Sequence, residues 1–119
     1  MKKLFGLLLL TITSCGETAT NIKVNEIKSS CDLILAMNTV VNEMYDLTEG
    51  LADYEDPSAG LKDKYKLLQQ MSEKIERKGG ELFPNGRAME SAFEDCPNMM
   101  DLKSTMEGKL EKVTTYFYY

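Results

Sequence analysis

From Ile22 to about Ala52 an apolar residue returns every three or four positions, at Leu33, Met37, Val40, Met44, Leu47 and Leu51, and Ile27, Ile34 and Val41 widen the stripe. A period near 3.6 residues with that breadth predicts one long amphipathic helix. Asp53-Tyr54-Glu55-Asp56-Pro57-Ser58-Ala59-Gly60 interrupts it with turn formers, Pro57 biasing Asp56 away from helical geometry. A second helix is expected from about Leu61 to Lys78, with Leu61, Tyr65, Leu68, Met71 or Ser72, and Ile75 on one face. Lys74, Arg77 and Lys78 complement the dipole at its end, and Gly79-Gly80 supplies the stop. Leu82, Phe83 and Pro84 lead to a short helix from about Gly86 to Asp95 that carries Ala88, Met89, Ala92 and Phe93. Pro97 suits a first helical turn and not a helix interior, so a last helix is expected to start near Cys96. Its stripe is Met99, Leu102, Met106, Leu110, Val113 and Phe117.

These segments predict an all-α fold, a small antiparallel bundle of three long helices plus one short helix, in one domain over residues 22–119. With the first helix up, the second down and the short one across the base, the fourth runs up again beside the first. The three long helices are each roughly 30 Å at 1.5 Å per residue. Cys31 and Cys96 then fall at the same end, residues 22–30 project below it as an overhanging stem or frayed turn, and the polar stretch from Gly16 to Asn21 reads as a flexible tether.

The start of the chain has a different pattern. Lys2 and Lys3 precede an apolar run from Leu4 to Ile12, and Ile12-Thr13-Ser14-Cys15 follows. A positive start, a short apolar stretch and small residues at its end describe an export signal, since a membrane span needs roughly 20 apolar residues. Ile12-Thr13-Ser14-Cys15 resembles the lipobox of bacterial lipoproteins, in which an aliphatic and two small residues precede a cysteine that is acylated and becomes the new N-terminus. The resemblance covers residues 1–15 and implies removal of residues 1–14, a diacylglyceryl thioether on Cys15 and usually a third acyl chain on its amine. Two or more chains hold a protein stably at a membrane where one does so only marginally. Gly16 stands where the family would want Asp for retention in an inner membrane, which favours the periplasmic face of an outer membrane.

Without Lys2 and Lys3, 12 Lys and Arg face 19 Asp and Glu, a formal charge of −7 with the acylated amine uncharged. Such a surface repels phosphate backbones and anionic headgroups, so the membrane is met through the lipid and nucleic acid is not an expected partner. Cys31 and Cys96 are an even pair in a domain that matures in an oxidising compartment, and they read as one disulfide. The alternative is two buried thiols packing as small hydrophobes.

Histidine is absent, which removes imidazole acid–base catalysis, Ser-His-Asp and Cys-His arrangements, most zinc sites and haem of the kind that takes a His ligand. The expectation is a protein that is not an enzyme and needs no cofactor beyond the covalent lipid. Met99, Met100 and Met106 offer soft thioethers that suit Cu(I), but their helical spacing is that of core filler. Asp46, Glu49, Asp53, Glu55 and Asp56 gather around the first turn, lacking the ligand order and central Gly of a Ca²⁺ loop, and read as a solvated acidic tip farthest from the tether. The chain ends Tyr116-Phe117-Tyr118-Tyr119. Phe117 continues the stripe and is expected to seal the top of the bundle. Tyr116, Tyr118 and Tyr119, where exposed, would join Asp53, Glu55 and Asp56 in a partner-facing patch. The function expected is a non-enzymatic binding or accessory role toward another envelope protein, with a small-ligand or metal carrier as the alternative.

Overall fold

The computed structural model describes residues 19–84 and 88–117, and all regular structure among them is helical. Four α-helices, α1 (Ser30–Asp46), α2 (Ala59–Leu82), α3 (Ala88–Asp95) and α4 (Met100–Tyr116), are joined by turns and three short 3₁₀ segments. They form a helical bundle around one core.

The first helix is shorter than its apolar stripe. It starts where Ser29 accepts a hydrogen bond from the Asp32 backbone N–H at 3.1 Å while the Asp32 carboxylate accepts one from the Lys28 N–H at 3.3 Å. This reciprocal arrangement satisfies donors that the helix start leaves open. At the other end α1 gives way at Leu47 to tight turns whose backbone bonds reach back three residues, from Thr48 to Tyr45, Glu49 to Asp46 and Leu51 to Thr48. Gly50, at φ +81°, takes the left-handed conformation that closes the run. Tight turns repeat nearly as a helix does, so Leu47 and Leu51 still pack on the core and the stripe conceals the end of α1.

Residues 22–30 do not overhang the bundle. Two 3₁₀ segments, Ala19–Asn21 and Val24–Glu26, carry the chain back along α1, with Ala19 and Ile27 buried and Ile22 and Val24 packed on the same core. Ile22, Lys23, Glu26 and Ile27 form a shallow groove with Asp32, Leu35, Ala36 and Thr39 of α1. The Ala19 N–H donates to the Glu43 carboxylate, one turn before α1 ends. Residues 19–21, expected to belong to a flexible tether, are thus part of the packed structure. The described chain begins beside the acidic turn, at the end opposite the cysteines. The apolar residues of this stretch, spaced as in a helix, line a strap that covers the core from outside.

The second helix passes through Gly79-Gly80 instead of stopping there. Neither glycine takes the positive φ of a helix-ending residue, and the Phe83 N–H donates to the Gly79 carbonyl at 2.7 Å. Gly79 is buried, and packing around it outweighs the roughly 1 kcal/mol that a glycine costs inside a helix. At the start, Ser58 accepts from the Leu61 N–H at 3.3 Å. Pro97 opens a 3₁₀ turn, Pro97–Met99, that runs straight into α4.

The core is built from the faces that the spacing marks: Leu33, Ile34, Val40 and Val41 of α1, Ile75 of α2, Ala92 of α3, and Val113 and Phe117 at the end of α4, all essentially inaccessible to water. Contacts between α1 and α4 run in order along both. Cys31 is bonded to Cys96 with Cα atoms 5.6 Å apart, Lys109 Nζ donates to Asn42 Oδ1 at 2.6 Å, and the Tyr116 hydroxyl donates to the Ala52 carbonyl at 3.2 Å. Lys109 and Lys112 also lie over the Tyr45 ring at 5.5 and 5.2 Å. The disulfide joins residues 65 apart in sequence, and closing a loop of that length restricts the unfolded chain by roughly 4 kcal/mol on the chain-entropy model. Reductant, or Cys31→Ser, should lower the free energy of unfolding by about 2–4 kcal/mol in denaturant titrations, and coincident curves with and without reductant would show that the bond adds nothing.

Candidate functional site

Two regions combine exposure with unusual chemistry, and they lie on different parts of the surface. The first is the turn after α1. Its backbone is tied by a Glu55 N–H bond to the Ala52 carbonyl at 3.0 Å and by an Ala52 N–H bond to the Glu55 carboxylate at 2.8 Å. Asp56 pairs with Lys62 at 3.3 Å, and Pro57 is buried beneath. Inside this frame Tyr54 takes φ +64° and is 95% exposed. A left-handed backbone at a bulky residue costs on the order of 1–2 kcal/mol, and here no burial of the ring offsets it.

Among the described residues the exposed aromatic that Asp53, Glu55 and Asp56 flank is Tyr54. Tyr116 is only 7% exposed, its hydroxyl held by Ala52, so it belongs to the fold and is withdrawn from the expected partner-facing patch. Phe117 seals this end of the bundle as its place on the stripe predicts, stacked on Tyr65 with ring centroids 4.7 Å apart and planes 13° from parallel. Tyr118 and Tyr119 lie outside the described residues, as does Cys15. No sequence signal marks Tyr54, because left-handed turn positions are ordinarily announced by Gly or Asn.

Among the described residues no group of three or more Asp, Glu or Cys side chains is placed to hold a metal ion, so the acidic residues of the turn do not converge on a cation. Asp46 lies at the end of α1, Glu55 is bonded back to Ala52, and Asp56 turns to Lys62. The turn therefore carries its carboxylates spread around a protruding phenol.

The second region is a cleft of about 240 Å³ where Met37 of α1, Met89 of α3 and Met106 of α4 meet Phe93 and Leu110, with Glu76, Glu90, Lys103 and Glu107 at the rim. Of the methionines singled out by spacing, Met106 lies here, whereas Met99 is half-buried, Met100 exposed, and neither lines the cleft. Met37 and Met89 join Met106 only through the fold, since they stand on three different helices far apart in sequence. Thioethers from three helices make an adaptable apolar lining and a soft donor set.

Because the Tyr54 ring touches little, Tyr54→Gly should relieve the left-handed backbone at small loss of packing. Glycine's extra freedom in the unfolded chain offsets part of that gain. Unfolding free energy is expected to stay level or rise by up to about 1 kcal/mol, and a clear fall in the denaturation midpoint would show that the ring supports the fold.

No protein-family model matches this chain, and no curated protein or solved structure is significantly similar to it.

Proposed function

We propose that this chain is a lipid-anchored protein of the bacterial cell envelope, held at the periplasmic face of the outer membrane, that works without catalysis by binding another envelope protein. The observation that carries the reading is the N-terminal succession of Lys2-Lys3, the apolar run to Ile12, and Ile12-Thr13-Ser14-Cys15. Cys15, acylated and left as the new N-terminus by cleavage, is the membrane attachment. No helix among the described residues is long and apolar enough to cross a membrane. The Cys31–Cys96 bond is the kind of link that an oxidising compartment sustains.

In this reading the bundle is antiparallel. The order of contacts supports that: Glu43, Asp46 and Leu47 near the end of α1 share a cleft with Lys64, Leu67 and Leu68 early in α2, whereas Met37, farther back on α1, shares one with Glu76, farther along α2. Helices of 17, 24 and 17 residues form the long members, and the eight residues of α3 cross the base beside the disulfide. A rigid, stapled body with open clefts and an exposed aromatic turn fits recognition of a partner surface.

Metabolic labelling with fatty acid tests the anchor. The wild-type chain is expected to take label and sediment with membranes, and Cys15→Ala to lose the label and appear in the soluble periplasmic fraction. An unlabelled wild-type chain, with Cys15→Ala fractionating as before, would overturn the reading. Crosslinking in intact cells addresses the binding role, with repeated recovery of one envelope protein in comparable amount expected and only scattered products counting against it.

A second reading, a carrier for a soft metal or small apolar ligand, is favoured by one observation, the convergence of Met37, Met89 and Met106 on a single cleft. Under reducing conditions a carrier would bind about one Cu(I) per chain and lose it in a Met37→Leu, Met89→Leu, Met106→Leu variant. Substoichiometric binding unchanged by the triple substitution would leave the methionines as packing.

A further inference from the structure

Helices α2 and α4 both pack on α1, and they meet each other little. The methionine cleft is lined from both of them and from α3, with Met37 of α1 beneath. Met37 and Met106 are buried at its floor, while Met89 is half-buried and Leu110 is 37% exposed at its mouth. Thioether side chains re-pack around whatever apolar shape enters such a site. Charge surrounds the mouth. Glu76 of α2, Glu90 of α3 and Glu107 of α4 are all exposed, and Glu76 and Glu107 form no ion pair among the described residues. Lys103, the cation among the lining residues, is half-buried and lies over the Phe93 ring at 6.0 Å. The carboxylates do not gather on a metal ion, so they set a spread negative field around an apolar hole.

We infer that this cleft is the docking site for a basic amphipathic helix of the partner protein, one that lowers an apolar side chain onto the methionines and brings lysine or arginine to Glu76 and Glu107. The inference rests on the reading that the chain works by binding another protein, and it names the surface used and the chemistry of what binds there. A helix fits because its side chains share a face every three to four residues, so an apolar anchor has cationic neighbours on either flank, as the cleft has a carboxylate on each wall. The aliphatic stems of those neighbours cover Met89 and Leu110 while their charged ends reach the carboxylates. An acidic segment would be repelled by the rim, and a hydrophilic cation would leave the apolar floor unfilled. A second copy of this chain is a poor occupant, because its formal charge of −5 carries the same acidic excess.

The test uses the full chain as cells make it, with the disulfide intact and carbon-13 in the methionine methyl groups, held in phosphatidylcholine discs where it is acylated. The probe is a short helical peptide of leucine and lysine with leucine on one face, and its counterparts carry glutamate for lysine or alanine for leucine. The leucine–lysine helix is expected to shift the Met89 and Met106 methyl resonances to saturation at one peptide per chain, with both counterparts at least tenfold weaker. Glu76→Gln with Glu107→Gln should weaken binding about three- to tenfold, as two exposed charge pairs do. Glu26→Gln with Glu49→Gln, an equal loss of charge at exposed positions elsewhere, should change it less than twofold. Leu110→Lys, at a partly exposed position, should weaken it at least tenfold. Methyl resonances that stay in place, equally tight binding of the glutamate helix, or equal losses in the two glutamine pairs would overturn the inference while leaving a binding role at another surface. Absence of a recurrent partner in the intact-cell crosslinking would overturn that role, and the inference with it.

Discussion

The covalent link between Cys31 and Cys96 joins the first turn of α1 to the residue that precedes the 3₁₀ turn leading into α4, and the order of the bundle follows from that junction. Once these two points are within a Cα separation of 5.6 Å, α1 and α4 start side by side, and their later contacts fall into step: Asn42 with Lys109, Tyr45 with Lys112, Ala52 with Tyr116. A domain of this size buries a modest core, so a link whose effect is exerted largely on the unfolded chain is worth a large share of its stability. At the other end no covalent link exists among the described residues. There the Phe117–Tyr65 stack and the Tyr116 hydrogen bond to Ala52 close the bundle by burial and one polar contact.

The two ends therefore differ in kind. The cysteine end is fixed by a bond and reinforced by Ser30, whose hydroxyl lies 3.4 Å from the Asp95 carboxylate of α3. The opposite end is held by aromatic packing and carries the one non-glycine residue with a left-handed backbone among those described, Tyr54. Strain and exposure sit together at the end with no covalent restraint, and a backbone held in an unfavourable conformation with its side chain in water is where an interaction with another surface has most to gain.

Much of this was legible before any coordinates. Helical spacing identified the buried faces of α1, α2 and α4, because a 3.6-residue period survives whatever the helices pack against; Leu33, Ile34, Val40, Ile75, Val113 and Phe117 all lie where it places them. The pairing of Cys31 with Cys96 is what an even count suggests for a chain expected in an oxidising compartment. The ends of elements were harder. Ser29 and Asp32 announce the start of α1, yet Ile22 and Ile27 continue the apolar rhythm upstream and mask it. Gly79-Gly80 has the composition of a stop, but a glycine buried in a helix wall is indistinguishable in sequence from one that ends a helix. The candidate sites were least legible. The Met37, Met89 and Met106 cleft exists only once three helices meet, and nothing in Asp53-Tyr54-Glu55 tells that the tyrosine is the residue turned outward on a left-handed backbone.

The strap from Ala19 to Ile27 also governs how the domain would bear tension. A pull transmitted through the chain's beginning acts first on the Ala19 contact with Glu43 and then on each strap residue in turn, so these weak attachments yield singly and not together. The peeling runs down α1 until it arrives at Cys31, where a sulfur–sulfur bond passes the force across to α4. The strap thus stands between the chain's beginning and the helices, and load reaches them only after its contacts are broken.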